Sequence, residues 1–165
     1  MFVVSPMCGP FSALQSLFNY QKLKRADVKE KLTESMVHVK FCLELCLEQH
    51  VNGRLFIFEH PAEASSWGMK AMQQMRALDG VRVVKFDFCM LGMKTTDDNG
   101  KEAAARKRTK VMTNSNPVAL LLQEAQCRSE HVHQHLLSNR AGPCQEYTDE
   151  FCQLICEAIK ENRTR

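Results

Sequence analysis

A cysteine and a glutamate stand where a sequence can place chemistry. Cys8 follows Ser5-Pro6-Met7 just after the apolar run Phe2–Val4, and Glu59 begins Glu59-His60-Pro61 just after Leu55–Phe58. A thiolate is a strong soft nucleophile, and a carboxyl group can pass a proton to the molecule under attack. If the two runs are parallel strands of one sheet, both residues lie at its carboxyl edge, where open α/β sheets bind ligands. A second group is Cys127-X3-His131-X-His133-X-His135, with Cys144 beyond it. Cysteine and histidine are the ligands zinc takes tetrahedrally. The spacing fits no common zinc finger, and clustered histidines also occur on ordinary helix faces. No bound metal is therefore expected; a zinc ion here would draw on Cys127, His131, His133 and Cys144. The run Arg106-Lys107-Arg108 reads, on charge alone, as a solvated loop.

The elements that must position these residues alternate between strand and helix. Residues 2–6 form a strand ended by Pro6, and a short helix from Phe11 to about Lys22 follows. Asp27 with Glu30 three residues on makes a capping-box start. Val28, Leu32, Met36, Val39, Leu43, Cys46 and His50 then keep a helical period as far as the stop at Asn52-Gly53. Leu55–Glu59 is the continuous apolar run of a buried parallel strand. A helix over 66–78, a strand over 81–88, a hairpin or loop at Asp97-Asp98-Asn99-Gly100, a short strand over 109–113 and a helix over 117–126 come next. The Gly142-Pro143 break precedes a last helix over 149–162. This order is the α/β alternation. Trp67 reads as a packing residue, and Met69, Met72 and Met75 as core filling.

The 165 residues are 44% hydrophobic and 25% charged, which fits one ordinary domain with a real core. The net charge of +3 permits an anionic partner without demanding one. Eight cysteines would suit a stapled secreted mini-fold, but the chain is too long for one and residues 1–12 lack a secretory leader. Cys42, Cys46, Cys152 and Cys156 are expected on apolar helix faces, where a thiol acts as a small hydrophobe. An intracellular setting, nuclear or cytoplasmic, follows. No apolar run reaches the roughly 20 residues of a membrane span, so no membrane partner is expected.

Ser5-Pro6-Met7-Cys8-Gly9-Pro10-Phe11-Ser12 and Phe58-Glu59-His60-Pro61 together resemble the catalytic half of DNA cytosine-5 methyltransferases. Those enzymes carry a Pro-Cys nucleophile and a nearby Phe-Ser after one strand and Glu-Asn after the next. The likeness is closer to phage-type DNA methylases and to related domains of mobile-element polyproteins. Cys89-Met90-Leu91-Gly92, Lys107-Arg108-Thr109 and Thr113-Asn114-Ser115 match the later motifs of that group. The resemblance covers residues 3–115. Beyond it, Cys127…His131-Val132-His133 and Tyr147–Phe151 are similar to the mobile-element variety alone.

The resemblance implies a partial Rossmann-like, methyltransferase-type sheet, mostly parallel and flanked by helices. It implies one domain over 1–165, with the motifs in 1–115 and a helical part in 116–165. Cys8 and Glu59 become the catalytic pair, while Ser5, Pro6, Phe11, Ser12, Lys107, Arg108 and Asn114 become base- or DNA-binding residues. DNA is the implied partner and S-adenosylmethionine the implied cofactor. Met7 stands where the family usually has Pro, and the Gly-rich loop that binds the cofactor is not found. The chain is thus expected to be inactive alone and to need an upstream or separate cofactor-binding half. An amino-methyltransferase is disfavoured, because Cys8 replaces the aromatic residue that stacks on its base. The remaining alternative is a non-enzymatic remnant, a DNA-binding or interaction domain of a mobile-element polyprotein, in one variant held by zinc.

Overall fold

A computed structural model describes residues 1–12, 25–136 and 140–163. The strands are β1 (Phe2–Val4), β2 (Phe56–Pro61), β3 (Arg82–Asp87), β4 (Lys94–Thr96), β5 (Glu102–Ala105), β6 (Arg108–Thr113) and β7 (His133–Gln134). The helices are α1 (Arg25–Val51), α2 (Lys70–Arg76), α3 (Asn116–Glu124) and α4 (Asp149–Arg163). The architecture is mixed α/β, with a four-stranded sheet ordered β1-β2-β6-β3 and a three-stranded sheet ordered β4-β5-β7. Two compact units divide the chain: Met1–Val83 with Lys110–Ser115, and Val84–Thr109 with Asn116–Arg165.

In the first unit, β1 runs parallel to β2 in the register Phe2↔Phe56, Val3↔Ile57, Val4↔Phe58. The first five residues of β2 are all buried, as a strand covered on both faces requires. β1 stops at Val4, short of the expected residue 6, because Pro6 has no N–H to give a ladder. α1 presents Val39, Cys42, Leu43 and Cys46 to the core, and Phe58, Trp67, Met72 and Met75 join them there. Gly53 closes the helix at φ +67, a conformation that glycine adopts without steric cost. Asp27, the expected cap, lies inside α1. The helix expected over 66–78 is a 3-10 turn at Ser65–Gly68 followed by the shorter α2. Of the helix expected from Phe11 to Lys22, Phe11 closes a 3-10 turn over Gly9–Phe11, and residues 13–24 lie outside the described residues.

In the second unit, β4 and β5 form the hairpin foreseen at Asp97–Gly100. Asp97 Oδ1 accepts the N–H groups of Asn99 and Lys101, and Gly100 turns the chain at φ +77. β7 adds to β5 in parallel, with Ala104 opposite His133. Phe86, Phe88, Tyr147 and Phe151 form an aromatic cluster, Phe86 stacking on Phe151 at 5.7 Å. α4 buries Phe151, Ile155 and Ala158. Cys152 and Cys156 are exposed, which corrects their assignment to the apolar face. Each is one position past a buried residue, and one position turns a helix by about 100°. Among the described residues no helix is long and apolar enough to cross a membrane.

Candidate functional site

The parallel register sets Ser5, one residue beyond β1, against Glu59 of β2. Ser5 Oγ donates to Glu59 Oε2 at 2.5 Å. The Glu59 residue is only 3% exposed, and its other oxygen, Oε1, is buried without a hydrogen-bond partner. A buried carboxyl oxygen with nothing to bond is costly unless a ligand completes it. From Ser5 the chain passes through buried Pro6 and exposed Met7 to Cys8, which is half-buried and begins the 3-10 turn. Because β1 and β2 are parallel neighbours, the segments leading to Cys8 and Glu59 leave the same edge of the sheet.

His60 beside them is fully buried between Phe11 and Phe58, at 5.8 Å from each ring. Its Nδ1 pairs with Ser66 Oγ at 2.6 Å, and its Nε2 is buried without a partner. Burial lowers its pKa to about 4, against a weaker opposite pull from the backbone of Met7 and Pro6. The imidazole is therefore neutral at pH 7 and braces the strand end that carries Glu59.

A second group gathers in the other unit. Cys89, Cys127, His131 and His133 bring four donor atoms within 4.8 Å of one another. The Cys89 sulfur lies 3.2 Å from His133 Nε2, and the Cys127 sulfur lies 3.4 Å from the same nitrogen and 3.8 Å from His131 Nε2. Burial first, and then the adjoining Cys127, push the Cys89 thiol up to about 12. Burial, then His131 and Arg106, lower the pKa of His133, which favours the neutral ring that ligates metals. Comparisons with family models, curated proteins and solved structures find no match.

The other residues singled out by the sequence have contacts of their own. Phe11 is buried against His60, and Ser12 gives its N–H to Gly9 O at 3.0 Å. Asn114 sits at the amino end of β2. Its Oδ1 accepts Phe56 N–H at 2.9 Å and its Nδ2 donates to Arg54 O at 2.9 Å, so it fastens the strand three residues short of Glu59. Lys107 and Arg108 belong to the second unit. Lys107 Nζ donates to Cys144 O at 3.0 Å and lies 4.5 Å from the Phe88 ring centroid. Arg108 Nε pairs with Asp87 Oδ1 at 2.9 Å.

Cys144 is buried, with its thiol directed to Lys94 O at 3.7 Å, and is not among the four clustered donors. The donor missed in sequence is Cys89, 44 positions before His133. Its one signal was the motif Cys89-Met90-Leu91-Gly92, whose glycine closes the Phe88–Leu91 3-10 turn at φ +77. A side chain at Gly92 would also collide with the Glu150 carboxylate.

Proposed function

We propose that the chain is the base-handling lobe of a DNA cytosine-5 methyltransferase-like protein, on a partial Rossmann-like, mostly parallel sheet. The observation that supports this is the Ser5–Glu59 hydrogen bond at the carboxyl ends of adjacent parallel strands, which leaves Glu59 Oε1 buried and unpartnered. A cytosine flipped out of the stack offers that oxygen its ring N3 and exocyclic amine. Cys8 adds to ring carbon 6, so that an S–C6 bond forms while the C5–C6 π electrons move into the ring and N3 takes the Glu59 proton. Without a methyl donor, C5 takes a proton from water. Loss of the original C5 hydrogen as a proton, return of the N3 proton to Glu59 and expulsion of the Cys8 thiolate then restore cytosine.

S-adenosylmethionine does not fit the residues described here. The glycines stand singly, several of them closing individual turns at positive φ, and build no Gly-rich cofactor loop. Methyl transfer is accordingly left to an upstream or separate half. The alternative reading, a non-enzymatic interaction domain of a mobile-element polyprotein, draws on the clustered cysteines and histidines of the second unit.

Release of tritium from single-stranded DNA carrying cytosine labelled at C5 separates the two, since this exchange needs no methyl donor. The expected result is release above the protein-free rate, abolished in Cys8→Ser and slowed by roughly 10²–10⁴-fold in Glu59→Gln. No release by the unaltered chain, or release undiminished in Cys8→Ser, would overturn the reading.

A further inference from the structure

We propose that Cys89, Cys127, His131 and His133 form a tetrahedral zinc site. The distances carry it. Ligands held about 2.3 Å (sulfur) and about 2.0–2.1 Å (nitrogen) from one ion at tetrahedral angles lie about 3.3–3.8 Å from one another. A sulfur and a nitrogen in such a site lie about 3.5–3.6 Å apart, and the three sulfur–nitrogen separations, 3.2, 3.4 and 3.8 Å, fall within about 0.4 Å of that. All four donor atoms, one from each residue, lie within 4.8 Å of one another. Two thiolates and two imidazoles suit zinc over the harder magnesium and calcium, which take oxygen. Four protein ligands leave no open position, which is the mark of a structural rather than a catalytic site.

The supporting shell is already in place. Cys89 rides the Phe88–Leu91 turn, held by Phe88 N–H on Lys107 O and by Met93 N–H on Phe88 O. His133 is fixed by its pairing with Ala104, and Arg106 N–H on Gln134 O locks the next residue. Asp87, buried and paired with Arg108, accepts the Cys127 N–H on Oδ2 at 3.0 Å. Ser129, at φ +62, turns its N–H onto the Cys127 sulfur at 3.3 Å. An N–H aimed at a sulfur stabilises the thiolate that metal binding needs. The ion would join the turn after β3 to the segment leading into β7, a cross-link between stretches 44 positions apart at their ends. On binding, each S–H bond breaks as an S–Zn bond forms, and two protons pass to solvent.

Protein produced with zinc in the medium and freed of loose metal by gel filtration is expected to carry about one zinc per chain. Cobalt(II) in its place should give the visible bands of a tetrahedral ion and a near-ultraviolet thiolate charge-transfer band. Cys89→Ser should halve that band and weaken cobalt binding beyond the ~10–100-fold typical of losing a supporting residue. Cys144→Ser should change neither. Should Cys89→Ser not fold, titration of the unaltered metal-free chain still decides the matter: zinc should release about two protons per ion. The proposal is overturned by an absence of bound metal with no tetrahedral cobalt spectrum. It is equally overturned by a Cys89–Cys127 disulfide in reduced preparations, or by a spectrum kept in Cys89→Ser and lost in Cys144→Ser. None of these readouts depends on activity toward DNA.

Discussion

The two units hold their polar groups in opposite ways. In the first, Ser5 and Glu59 are seated by strand register, and His60 by buried packing against Phe11 and Phe58 and its contact with Ser66. In the second, Cys89, Cys127, His131 and His133 come mostly from turns and short segments near the surface, with His131 exposed. A strand-end site inherits its geometry from the core and tolerates a missing ligand. A cluster of thiols and imidazoles outside the core has little apolar burial to hold it, so an ion bound there would be part of what keeps the donors together. The contrast separates a site that a fold can present from one that a fold can only prepare.

Three perturbations bear on that contrast, and the largest concerns His60. Its pKa is lowered from 6.5 to about 4, so the unfolded chain binds the proton more tightly. Stability is thus complete above pH 6.5 and is lost as pH falls through the window from 6.5 to about 4. The loss is about 3 kcal/mol. Denaturant midpoints measured across that window, with a chelator present, should show the fall, and His60→Gln should flatten it. A fall that persists in His60→Gln would shift the pH sensitivity to the exposed histidines and erase the difference between the units.

Next in size is Ser5→Ala. Removing the hydroxyl takes the Ser5 partner from Glu59 Oε2 while Oε1 already has none, a cost of about 1–3 kcal/mol. Urea denaturation should register it, and Ser5→Ala combined with Glu59→Gln should recover part of it. Smallest is the double change Cys152→Ser, Cys156→Ser on the exposed face of α4. Surface changes of this kind stay within about 0.5 kcal/mol. A larger loss of thermal stability would mean that this face is covered, as the sequence pattern had implied.

What could be read from the sequence was what local chemistry dictates. Asn52-Gly53 ended a helix because a left-handed residue does so, and Asp97–Gly100 made a hairpin because an aspartate can bridge its own turn. The run Phe56–Phe58 declared a buried strand by having no polar alternate. Cys89 could not be paired with His133 in advance, because proximity across 44 positions is created by β7 joining β5, and a two-residue strand has no pattern to detect. Cys152 and Cys156 were misplaced for a different reason. Cysteine counts as apolar in a periodicity, yet the stripe on α4 is set by Phe151, Ile155 and Ala158. Cys144 was grouped with the histidines by nearness in sequence, while its thiol is directed to the carbonyl of Lys94.

The outer place of β1 in its sheet has a kinetic consequence. Among the described residues its only neighbour in the strand order is β2, it is three residues long, and the Ser5–Glu59 contact closes a loop of 54 positions. Parallel pairings across long crossovers form late in folding, since the entropy of closing the loop must be met before any contact is made. By the same token, a short outer strand is among the first pieces to detach in sub-global opening. Each such excursion carries the Cys8 turn away from Glu59 while β2, deep in the sheet, stays folded. The Ser5–Glu59 contact therefore exists only for the fraction of time that β1 is docked, and any molecule that bridges the two segments would be, in effect, a clamp on the outer strand.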